Sequence, residues 1–157
     1  KKPIRCVVLV RDLLDVLASY IKWFETEPSA FPNKFGCTNI EEKLKKIMNK
    51  ESAVAKELMS IQYLLQHPEM AVFIKYDDLV QNPEQEIRKV YNFLNRPYFP
   101  HKFIDLDQIT VNGIQYNDGI VGKNMHTIRT EKVMKVENYY KNMIPERFVK
   151  EYGHIRF

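Results

Sequence analysis

The chain has 157 residues, the size of one ordinary domain, and 45% of them are hydrophobic, enough to bury a core. Charged residues make up 28%, glycine and proline number only 5 and 8, and no low-complexity tract occurs, which excludes a globally disordered chain. The net charge of +4 suits a protein that handles anions but is too small to argue for nucleic acid, and the longest apolar run, Cys6 to Val10, is far too short to cross a bilayer.

Ile4 to Val10 (IRCVVLV) is a continuous, β-branched apolar run, the pattern of a strand buried on both faces in a parallel sheet. Asp12 is placed to cap a helix running to about Phe24, with Leu13, Leu17, Tyr20 and Phe24 on its apolar face, widened by Leu14, Ala18 and Ile21. Asp12, Asp15, Ser19 and Lys22 form the contrasting polar stripe. Glu27 to Asn39, with two prolines and a glycine, reads as a loop. Helical spacing returns from Ile40 to Gln66, with a break near Asn49 to Ser52. Met70 to Lys75 is a second strand, and Asn82-Pro83 marks the start of a helix that buries Ile87, Val90, Tyr91 and Leu94 and ends before Pro97.

Beyond Pro100 the periodicity weakens. His101 to Ile109 is predicted as a short helix, and Val111 to Asn124 as loop with some extended backbone. Thr130 is predicted to cap a helix through about Tyr140, and Pro145 to open a final short helix that stops at Gly153. Strands alternating with helices define an α/β layer fold around a parallel sheet, with no internal repeat and no evident domain boundary over 1–157. Cys6 reads as a buried small hydrophobe and Cys37 as a loop residue. Neither has disulfide or metal-ligand spacing, so a reducing, cytoplasmic setting and no metal site are expected. His67, His101 and His154 read as surface residues. Lys43, Lys46 and Lys50 fall on one helical face, where a solvated face outweighs an anion-recruiting one.

Two segments carry a resemblance. Val8 to Tyr20 (VLVRDLLDVLASY) has a strand ending in Arg11-Asp12, then Asp15, then Ser19 eight residues after the arginine. Val72 to Leu79 (VFIKYDDL), followed by Asn82-Pro83 and Phe93-Leu94, sits on the second strand-to-helix junction. Together they resemble the sulfotransferase superfamily. The resemblance implies a P-loop-NTPase-like three-layer sandwich with a short parallel sheet flanked by helices. It also implies transfer of a sulfuryl group from 3′-phosphoadenosine 5′-phosphosulfate (PAPS) to a hydroxyl or amine acceptor, without a metal. Arg11 and Ser19 would hold the 3′-phosphate of the donor and Tyr76 would pack near its adenine. The chemistry agrees, since an arginine fork at the carboxyl end of a parallel strand faces the crevice where open sheets bind ligands.

The family also places a phosphate loop and a catalytic base before these elements, and no stretch of this sequence matches either. Because a strand buried on both faces needs two neighbours, the chain is expected to be the carboxyl-terminal portion of a longer enzyme. The family's Arg-Lys-Gly stretch is replaced in Tyr116 to Thr130 by a segment containing Asn117, Asp118 and Gly119. There Lys123, His126 and Arg129, spaced three apart, offer replacement positive charge, against the alternative of a solvated basic stretch. A kinase-like nucleotide enzyme, which requires a Gly-x-x-x-x-Gly-Lys-Ser/Thr loop, and a non-catalytic binding domain are the rival readings.

Overall fold

The computed structural model describes residues 4–27, 35–106, 110–111, 114–115, 131–135, 139–155 and 157. The chain divides into two compact units, residues 1–75 with 137–157, and residues 76–136.

In the first unit, strand β1 (Cys6–Val10) leads into helix α1 (Leu13–Thr26), followed by α2 (Ile40–Ile47), α3 (Ala53–Leu65) and β2 (Ala71–Lys75). β1 and β2 pair in parallel from Cys6↔Ala71 to Val10↔Lys75, giving a mixed α/β unit with a short two-stranded sheet. The amphipathic spacing of α1 places Leu13, Leu17, Ala18, Ile21 and Phe24 in the core, where Leu44 and Ile47 of α2 and Val54 of α3 meet them. Each such large side chain contributes about 1.5–3 kcal/mol by leaving water.

The break between α2 and α3 falls where it was expected. Ser52 caps α3 by accepting from the Ala55 N–H, and its hydroxyl donates to the Ile47 carbonyl that α2 leaves unpaired within the helix. The chain closes this unit with a 3-10 helix (Tyr139–Met143) and α6 (Glu146–Tyr152), which opens after Pro145 and stops at Gly153 as predicted. Ile144 and Phe148 of this closing segment join the α1 core.

The second unit opens with α4 (Tyr76–Gln81) and α5 (Pro83–Phe93), then holds a two-residue hairpin of β3 (Thr110–Val111) and β4 (Ile114–Gln115). Pro83 occupies the first turn of α5, but the Asn82 side chain makes no capping bond. Ile87, Val90, Tyr91 and Leu94 are half-buried rather than buried, and the buried residue of α5 is Glu86, paired with Lys89.

Four expectations are corrected here. β1 is not covered on both faces, since Val7 and Leu9 are 49% and 58% exposed. Cys6, correspondingly, is half-buried. No helix forms over 101–106, because Ile104 bridges antiparallel to Lys132 and the Asp105 N–H donates to Glu131 at 2.8 Å. The same pairing holds residues 131–135 out of the predicted Thr130 helix: a weak local helical preference yields to backbone bonds formed with a distant segment.

Candidate functional site

The site is built where β1 hands over to α1. Arg11 follows β1 at the carboxyl end of the parallel pair, the end at which the exposed Lys75 closes β2 opposite Val10. Asp12 then caps α1, its carboxylate accepting from the Asp15 N–H at 3.1 Å. This fixes Asp15 in the first turn with its side chain only 10% exposed. Sequence periodicity puts Asp15 on the polar stripe; the structure corrects this and buries it.

Charge partners explain the burial. Asp15 Oδ2 lies 3.9 Å from Arg11 Nε, and Asp15 Oδ1 accepts from Lys141 Nζ at 2.9 Å. Lys141 also reaches Asp12 Oδ1 at 3.4 Å. The positive end of the α1 dipole favours both carboxylates further. The hydrogen bond to Asp15, above all, raises the Lys141 ammonium above its ordinary value and keeps it charged. One turn along, the Ser19 hydroxyl donates to the Asp15 carbonyl at 3.1 Å. Arg11, Asp15 and Ser19, spaced four apart, therefore form one connected row along the start of α1.

Lys141 is the residue that sequence reasoning missed. It comes from 126 residues away, inside a YYKNM segment with no motif around it, and no local signal marks it.

Tyr76, expected as the end of the second strand, is instead the first residue of α4, is half-buried and belongs to the second unit. In that unit Asp77, beside it, is held by Lys135 Nζ at 2.9 and 3.0 Å from its two oxygens. Lys123, His126 and Arg129 lie outside the described residues. The lysine row on α2 does not behave as one solvated face. Lys43 pairs with Glu25 at 3.2 Å, Lys46 sits over the Phe35 ring at 5.0 Å, and Lys50 falls beyond the helix end. His67 and His101, read as surface residues without partners, have local ones: Nδ1 of His67 meets the Tyr63 carbonyl at 2.8 Å, and His101 meets the Tyr91 hydroxyl at 3.0 Å.

Among the described residues no group of His, Cys, Asp and Glu is arranged to hold a metal ion, and no helix is long and apolar enough to cross a membrane.

The chain matches the sulfotransferase domain family over residues 1–144, and it belongs to that family. Its chemistry is accordingly transfer of a sulfate group from a donor to an acceptor. No curated protein and no solved structure matches the chain.

Proposed function

We propose that this chain anchors the nucleotide of PAPS, the donor from which the sulfuryl group passes to a hydroxyl or amine acceptor. In this reading the short parallel sheet belongs to a three-layer, P-loop-like sandwich. The observation that supports it is the row formed by Arg11, Asp15 and Ser19 at the carboxyl end of a parallel strand. There Arg11, paired to Asp15 at 3.9 Å, presents its guanidinium to the 3′-phosphate. Ser19 has one hydroxyl proton, now given to a helix carbonyl, and it turns that proton to the phosphate when the nucleotide binds. The exchange costs little, because a helix carbonyl at i−4 also receives the backbone N–H four residues on.

The reaction is an in-line displacement. The acceptor oxygen or nitrogen forms a bond to sulfur while the bond from sulfur to the bridging phosphate oxygen breaks. The acceptor proton passes to a base, and 3′-phosphoadenosine 5′-phosphate (PAP) leaves. Arg11 and Ser19 grip the donor at its far end, so they contribute positioning rather than bond-breaking.

Isothermal titration with PAP tests this. Arg11→Ala should weaken binding about ten- to hundredfold, the loss of charge-assisted hydrogen bonds to a phosphate. Tighter binding of ATP than of PAP, or an affinity for PAP unmoved by Arg11→Ala, would refute the assignment.

A further inference from the structure

Arg11 stands in acidic company at the start of α1. Asp12 and Asp15 both stand at the start of α1, and Asp15 comes within 3.9 Å of the Arg11 guanidinium. Alone, these two carboxylates outweigh the one arginine, and the group would repel a phosphate. Lys141 changes the balance, since its ammonium contacts both carboxylates, at 2.9 and 3.4 Å. Arg11 and Lys141 against Asp12 and Asp15 bring the four charges to neutrality.

The placement of Lys141 is also well defended. It sits on the 3-10 helix Tyr139–Met143, which packs on α1, and it is followed at once by Ile144 and Phe148, both anchored in the α1 core. A lysine on a loose surface turn would give a weak, salt-screened pair. Lys141 is itself 44% exposed, but the Asp15 side chain that it contacts directly is only 10% exposed.

We infer that Lys141 is a positioning residue for the donor: it offsets one of the two carboxylate charges and fixes the Asp15 carboxylate that pairs with Arg11, so that two acids are not set against one arginine where the phosphate binds. Lys141 acts through the carboxylates and does not itself touch the nucleotide. This rests on the donor reading proposed above and adds to it a residue that lies far from both motifs in sequence.

The experiment is titration of the full chain with PAP, at low and moderate salt, for the wild type and for Lys141→Met, Lys141→Arg, Asp15→Asn and the double variant Lys141→Met/Asp15→Asn. One unit of charge acting across a partly solvated site changes affinity about tenfold, so Lys141→Met should weaken PAP binding by about that factor. Lys141→Arg should stay within about threefold of the wild type, because the charge is kept. The double variant loses one charge of each sign, so its affinity should recover most of what Lys141→Met loses. Removing Asp15 also relieves an unpaired, largely buried charge, so the two roles are separated by stability: under a merely structural role the affinity would follow the melting temperature from variant to variant, and under the positioning role it follows the charge. Thermal melts alongside the titrations identify any variant that fails to fold, and Lys141→Gln, which also removes the charge, carries the comparison if Lys141→Met does.

Three outcomes overturn the inference. Unchanged affinity in Lys141→Met, with wild-type binding intact, removes Lys141 from the site and leaves the donor reading standing. A loss that Asp15→Asn fails to restore makes Lys141 a direct phosphate ligand. Absence of PAP binding in the wild type overturns the donor reading itself, and this inference with it.

Discussion

Replacing Phe148 by alanine tests whether the closing segment is held to α1 by packing. Phe148 is 2% exposed and is among the largest fully buried side chains. It stands on α6, which has 7 residues, far below the length at which an isolated helix is stable in water. Packing against Leu17, Ile21 and their neighbours must therefore supply what local propensity does not. Removing a buried phenylalanine ring costs about 3–5 kcal/mol, through lost transfer free energy and the cavity left behind. Set against a total of about 5–15 kcal/mol for an ordinary domain, that is a large fraction. For a chain of this length each kcal/mol lowers the melting temperature by about 2–4 °C, so a fall of roughly 6–20 °C is expected. Urea unfolding followed by circular dichroism gives the free energy, and calorimetry gives the melting temperature. Phe148→Leu, which keeps most of the volume, should lose no more than about 1.5 kcal/mol. A loss under about 1 kcal/mol for Phe148→Ala, at unchanged m-value, would show that the ring is not packed in the core.

Stability should fall on the alkaline side. Burial pushes the Tyr152 phenol up to about 12, and burial likewise raises Tyr20. Between about pH 10, where an unfolded tyrosine ionises, and about 12, unfolding releases a proton from Tyr152, so stability drops as pH rises. Lys141 works in the same direction: its ion pairs contribute fully below the ordinary lysine value and fade as pH climbs through its raised one. Urea midpoints measured from pH 7 to 11.5 should therefore decline above about 10, and Tyr152→Phe should flatten the decline; a level profile in the wild type would contradict the assignment. Gly153→Ala should cost about 1–3 kcal/mol, because an added methyl would press on the Val149 carbonyl oxygen, to which the Gly153 N–H already donates at 2.8 Å. The backbone angles there suit alanine, so a gain in the urea midpoint would show that the contact relaxes freely.

Much of the first unit was legible in the residue order. The β-branched run before Arg11, the apolar spacing of α1, the interruption at Ser52 and the Pro145 and Gly153 boundaries are local signals, each acting within one or two turns of chain. The two motifs were equally legible, and the structure joins Arg11 and Ser19 of the first through Asp15. Tyr76 was misplaced, because a strand end and a helix start one residue apart share the same apolar neighbours, and periodicity resolves boundaries poorly.

Other features were settled by residues far apart in the chain. The antiparallel bridge between Ile104 and Lys132 replaced a helical tendency at both segments with strand-like backbone. Asp15 stands where a cation partner is expected, but the lysine that reaches it comes from 126 residues away. The sequence by itself determined the strand that ends before Arg11 and the helix that carries Ser19, since these follow from short-range periodicity and capping. Only the tertiary structure decided that a buried acid shares that arginine with a distant lysine, because the balance of charge at a point depends on which segments meet there, and no local pattern records that meeting.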